Sequence, residues 1–134
     1  MEQEVRLRDQ PTMYDSVGGM PFFERLVDGF YRRVAADRVL LVLYPDPVDL
    51  APARHRLTLF LAQYWGGPTT YSEQRGHPRL RMRHDPFVIG PAERDHWLAA
   101  MREALADMNP PPGVAEAMHE YFDMAAEAMR NRDR

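Results

Sequence analysis

His84, Tyr31, Tyr44 and Trp97 are the residues whose types and placement suggest chemistry. His84 closes the stretch Pro78-Arg79-Leu80-Arg81-Met82-Arg83-His84, with Leu80 one turn earlier on the same helical face. A neutral imidazole beside an apolar patch is well placed to ligate a metal. A lone histidine near a helix end is more often a surface or capping residue, so spacing alone is a weak signal for ligation. His55, His77, His96 and His119 have no spacing suited to zinc, and there is no His-Glu-x-x-His. A centre with three or four protein ligands is therefore not expected. A single axial bond from His84 to a metal carried in a cofactor remains.

Tyr31, Tyr44 and Trp97 fall on or beside apolar stretches, far apart in sequence. They read either as core aromatics whose polar atoms find backbone partners, or as O–H and N–H donors converging on an anion-like ligand. A third feature is the run Arg75, Arg79, Arg81, Arg83, flanked by Tyr71 and Phe87 but interrupted by Glu73 and Asp85. It fits a solvated face, a carboxylate-binding cluster or a nucleic-acid contact.

The elements that must hold these residues are helical. Thr12-Met13-Tyr14-Asp15 has capping-box spacing and predicts a short helix, which Gly18-Gly19 ends. Pro21 opens a second helix to about Asp37, with Phe22, Leu26, Phe30 and Val34 repeating every four residues. A loop with Pro45 and Pro47 follows. Asp49 is the expected N-cap of a third long helix whose apolar face is Leu50, Ala53, Leu57, Phe60, Leu61 and Tyr64. Gly66-Gly67-Pro68 ends that helix, and residues 68–77 show no periodicity. Pro78 opens a short helix through His84, and Pro86 forces an extended segment from Asp85 to Ile89. Gly90-Pro91 starts a long helix carrying Trp97, Leu98, Met101, Leu105 and Met108. After a break at Asn109–Gly113, a last helix turns Val114, Met118, Tyr121, Phe122, Ala125 and Met129 inward. No strand-like alternation or hairpin signal occurs, so the fold class is all-α.

A chain of 134 residues suits one domain. Residues 1–11 form a polar extension and 12–134 the domain proper. At this size roughly two-thirds of the unfolded chain's surface can be buried, enough for one core and one ligand cavity. Cysteine is absent, which excludes disulfides, thiolate metal sites and covalent thioether attachment of a cofactor. All 17 basic residues are arginine, which excludes Schiff-base and P-loop lysine chemistry. The net charge of −3 gives no general reason to expect nucleic acid or anionic membrane as a partner. Residues 1–12 lack the apolar stretch of a signal peptide, and no apolar run approaches a membrane span. A cytoplasmic location is expected.

Several stretches resemble the truncated haemoglobins of group II: Gly18-Gly19, Phe30-Tyr31, Val42-Leu43-Tyr44-Pro45, and Phe60-Leu61-Ala62-Gln63-Tyr64-Trp65-Gly66-Gly67-Pro68. The most specific is Tyr71-Ser72-Glu73-Gln74-Arg75-Gly76-His77-Pro78-Arg79-Leu80-Arg81-Met82-Arg83-His84. The similarity runs from about residue 13 to 130. It implies a two-over-two helical sandwich around non-covalent haem b, with His84 as the proximal iron ligand. Tyr31, Tyr44 and Trp97 fall on the family's distal polar cage. Leu57 falls on an apolar residue above the iron, and Ala53 where many globins keep a distal histidine. Arg56 corresponds to a position that reaches a haem propionate, while Phe60, Met82 and Phe87 correspond to positions lining the haem faces.

The function this implies is reversible binding of oxygen and other diatomic ligands, as carrier or store. Two hydrogen bonds to a ligand with anionic character, each about 1.5–3 kcal/mol, would slow its release by one to two orders of magnitude apiece. Such retention also suits sensing or a redox enzyme, a peroxidase or nitric-oxide dioxygenase acting on peroxide or nitric oxide with an unidentified reductase. Carbon monoxide would bind as well, and a homo-oligomer is compatible with the sequence. The competing class is a cofactor-free helical module that binds nucleic acid through Arg75–Arg83. It predicts salt-dependent DNA binding and no visible absorbance.

Overall fold

The computed structural model describes residues 12–76, 89–131 and 133. Seven helices and no strand are found among them. α1 spans Met13–Ser16, α2 Met20–Ala36, α3 Arg38–Leu41, α4 Ala51–Tyr64, α5 Thr70–Arg75, α6 Pro91–Asp107 and α7 Pro112–Met129. The extension 1–11, the short helix expected from Pro78 to His84 and all but the last residue of the extended segment to Ile89 lie outside the described residues.

The local signals act as expected in most places. Thr12 Oγ1 accepts from the Asp15 N–H at 3.1 Å, and Asp15 Oδ2 accepts from the Thr12 N–H at 3.3 Å, closing the capping box of α1. Gly18 and Gly19 hold φ of 94° and 81°, backbone that L side chains rarely adopt, so the chain turns sharply into α2. Phe23, Leu26, Val27, Phe30 and Val34 are fully enclosed along one side of α2. Glu93 Oε1 accepts from the Gly90 N–H at 2.7 Å at the start of α6.

Two short helices replace stretches read as irregular. α3 forms where a loop was expected after Asp37. Its four residues are too few to be helical unaided. Asp37 Oδ1 organises them by accepting from the N–H of Val39 and Leu40 at 2.9 and 3.3 Å. α5 forms within the aperiodic stretch 68–77 because α4 holds it. The Gln63 amide donates to Ser72 Oγ at 2.5 Å and accepts from the Ser72 N–H at 2.9 Å. At α4 the cap falls on Leu50, one residue later than expected, although Asp49 Oδ1 still accepts from the Ala51 N–H at 3.1 Å. α7 starts at Pro112, inside the expected break, since proline suits a first turn.

Packing produces two layers of helices. α2 lies against α4 and α6, α7 lies against α6, and α3 bridges α2 and α6. Arg33 joins α2 to α6 by reaching Glu103 at 3.2 Å and Asp107 at 2.6 Å. Arg94 and Arg102 join α6 to α7 through Glu127 and Asp123 at 2.7 and 2.5 Å. Such exposed pairs contribute about 0–1 kcal/mol each, so the buried apolar face of α2 carries the fold. The architecture is a two-over-two helical sandwich. No described helix is long and apolar enough to cross a membrane.

Candidate functional site

α4 and α7 stand on either side of a cavity of about 370 Å³. The faces they turn to it follow from sequence. Ala53, Leu57 and Phe60 lie three to four residues apart on α4 and share one stripe, and α7 presents Tyr121, Phe122, Ala125 and Met129. α2 contributes Tyr31, the segment after α3 contributes Tyr44, and α6 contributes Trp97. Arg56, Arg75 and Arg94 complete the wall with positive charge.

Seven of the ten site residues expected from sequence thus line one cavity: Tyr31, Tyr44, Ala53, Arg56, Leu57, Phe60 and Trp97. The other three, Met82, His84 and Phe87, lie outside the described residues. So do Arg79, Arg81 and Arg83, leaving Arg75 as the described member of the arginine run. Sequence reasoning did not assign Tyr71, Ile89, Arg94 or Tyr121 to the cavity, although all four line it. Tyr121 was recognisable as inward-facing from its periodicity. Tyr71 carried no such signal, because α5 has too few residues to show a stripe.

Two of the three polar aromatics are held by one apolar ring, and the third packs on one of them. Phe30 makes edge contacts with Tyr31 at 5.0 Å and Trp97 at 5.5 Å between centroids. Tyr31 in turn meets Tyr44 edge-on at 5.6 Å. Loss of water raises the pKa of the Tyr31 hydroxyl, and a hydrogen bond with Tyr44, then the charges of Arg56 and Arg54, pull it part-way back. The Tyr44 hydroxyl is raised well above its ordinary value by burial, with Tyr31 adding to the effect. Both phenols therefore stay protonated at neutral pH.

The family model for bacterial-like globins matches residues 12–131. The chain is also 35% identical over 119 residues to the group 2 truncated hemoglobin YjbI of Bacillus subtilis, covering 89% of this chain and 88% of that protein. This chain belongs to the group II truncated haemoglobins. A solved thermostable hemoglobin from the actinobacterium Thermobifida fusca is 54% identical to this globin, with a TM-score of 0.89, and covers 92% of this chain and 100% of its own. The structure of a truncated oxygen-avid haemoglobin from Bacillus subtilis is 35% identical, with a TM-score of 0.84, and covers 90% and 100%.

As a globin, this protein binds haem non-covalently. The cavity suits that group. Leu40, Leu43, Leu57, Phe60, Ile89 and Phe122 give it apolar walls for a macrocycle. Guanidinium groups at the same cavity match two carboxylates. Arg94 is already engaged by Asp95 at 3.1 Å and Glu127 at 2.7 Å.

Proposed function

We propose that this globin retains a diatomic ligand, oxygen foremost, against the hydrogen-bond donors Tyr31 and Trp97. Haem, when bound, would supply an iron centre, and His84 is the residue that would ligate it. Tyr31 donates its hydroxyl proton toward the ligand while accepting one from Tyr44. Chained hydrogen bonds polarise one another, so the Tyr44 bond makes Tyr31 a better donor. Trp97 supplies an indole N–H, which is a donor only and holds a partly anionic ligand better than a neutral one. Leu57 and Phe60 exclude water, and the small side chain of Ala53 leaves room for ligand entry. Arg56 would meet a haem propionate, and the family resemblance assigns Met82 and Phe87 to lining the haem.

The observation that carries this reading is the cluster of two phenols in edge contact and an indole on the wall of a cavity that also offers apolar side chains and guanidinium groups. The oxygen-avid relative from Bacillus subtilis agrees with it. Slow release favours storage, sensing or redox use over rapid transport.

Haemin titration followed by visible absorbance tests the assignment. Saturable uptake with a strong haem band that shifts on reduction and again under carbon monoxide is expected. His84→Ala should lose normal ligation, with an altered band and faster haemin loss. A protein that stays colourless with added haemin would overturn the reading.

A further inference from the structure

Tyr121 and Tyr64 form an arrangement that ligand retention does not use. Tyr121, on α7, lines the cavity and is 6% exposed. Its ring lies 3.9 Å, centroid to centroid, from that of Tyr64 at the end of α4, tilted by 31°. Tyr64 is 48% exposed to solvent. Trp65 completes the cluster at 4.9 Å from Tyr64 and 5.7 Å from Tyr121. Oxidisable rings in mutual contact therefore run from the cavity wall to the surface.

The three rings differ in where a proton can go, and that decides where oxidation settles. A phenol that loses an electron becomes strongly acidic and must shed its hydroxyl proton. Trp65 Nε1–H is buried with no hydrogen-bond partner among the described residues, and none of them is placed to take its proton. Tyr121 is buried, so a proton leaving it has no direct path to water. Tyr64 faces water and can release a proton directly. On the other side of the cavity, the rings next to Trp97 are Phe30 at 5.5 Å and Phe122 at 6.0 Å, which resist oxidation. Phe122 in turn lies 5.7 Å from Tyr121, so a phenyl ring that is hard to oxidise stands between the cage and the surface pair.

We propose that the Tyr121–Tyr64 stack is an electron conduit through which phenols too large for the cavity, docked beside Tyr64, reduce hydrogen peroxide inside it. The conduit rests on the haem-binding reading above. Hydrogen peroxide takes up two electrons and two protons, its O–O bond breaks, and it leaves as two waters. Each electron comes from one phenol and passes through Tyr64 and Tyr121. The phenol's hydroxyl proton goes to solvent, which replaces the one consumed. The two phenoxyl radicals couple through a new carbon–carbon bond, and Tyr64 ends each cycle as a phenol.

The test uses the haemin-loaded chain with hydrogen peroxide, first without any added phenol. Oxidation should then collect on Tyr64, giving a tyrosyl signal in electron paramagnetic resonance and dityrosine-linked dimers joined through Tyr64 in peptide mass spectrometry. Tyr64→Phe keeps the ring and should lose both signals while taking up haemin normally. With a polymer-tethered phenol as donor, Tyr64→Phe should slow oxidation about tenfold or more, and Tyr64→Trp should restore it. Haemin uptake with dityrosine on Tyr31, Tyr44 or Tyr71 instead, with none at all, or with an unchanged rate in Tyr64→Phe would overturn the conduit alone. Failure to take up haemin would overturn the conduit together with the reading it rests on.

Discussion

In the proposed arrangement Tyr44 gives its proton to Tyr31, so its contribution to a ligand is indirect. Tyr44→Phe removes that bond while keeping the ring that packs at 5.6 Å against Tyr31. The Tyr31 pKa should then rise further, because one of the causes that lowers it is gone. Its hydroxyl becomes a weaker donor, and oxygen release should quicken severalfold, less than for Tyr31→Phe, as stopped-flow displacement would show. A release rate equal to that of Tyr31→Phe would place Tyr44 in direct contact with the ligand. At this scale much of the site was legible in sequence, since Tyr31, Leu57, Phe60 and Trp97 fall on apolar stripes that topology brings together. The pairing of the two phenols was not legible. That depends on hydroxyls from α2 and the segment after α3 meeting at angles no spacing encodes.

At the scale of elements, α3 is the piece most dependent on a single side chain. Asp37 Oδ1 caps it, while Oδ2 accepts from His96 Nδ1 on α6 at 2.7 Å, one residue before Trp97. Burial pushes the Asp37 carboxyl up, but the bonds from His96, Leu40 N–H and Val39 N–H outweigh it and hold its pKa below the ordinary 3.8. The folded state thus favours the charged form. The stability this gives is complete above the ordinary value and is lost as pH falls through the lower folded value. Asp37→Asn should therefore be less stable than the parent at neutral pH, and the gap should narrow in acid. Denaturant melts at several pH values would check this, and a gap independent of pH would argue against the pairing. α3 and α5 escaped the sequence reading for one reason. Asp37 and Gln63 fix them by side-chain bonds, and neither helix is long enough to show a period. The long helices were legible because each has several turns in which to show a buried stripe, and Asn109, at φ 48°, marks one break between them.

For the whole molecule, the cavity between α4 and α7 couples ligand binding to folding. Apolar walls without a partner forfeit packing, and a group bound only by the folded chain stabilises it by about 2.7 kcal/mol at a hundred times its dissociation constant. Haemin should accordingly raise the melting temperature by several degrees, in proportion to the logarithm of its free concentration. Calorimetry on the haemin-free and loaded chain would measure it, and an unchanged midpoint would mean that haemin binds elsewhere or not at all. The all-α class followed from four amphipathic stretches with glycine and proline breaks, and the two-over-two arrangement from the family resemblance. The enclosed volume did not, because it depends on side chains from six of the helices and two connecting segments meeting around one space.

The central claim is that Tyr31 and Trp97 hold a partly anionic ligand by hydrogen bonds within an apolar cavity. Its most direct test is the oxygen dissociation rate of the haemin-loaded, reduced protein beside that of Trp97→Phe, with carbon monoxide release measured in parallel. Loss of one hydrogen bond of about 1.5–3 kcal/mol should speed oxygen release roughly ten- to a hundredfold and leave carbon monoxide release far less affected. Oxygen release unchanged in Trp97→Phe, or both gases accelerated equally, would contradict the claim and reduce Trp97 to a packing residue beside Phe30.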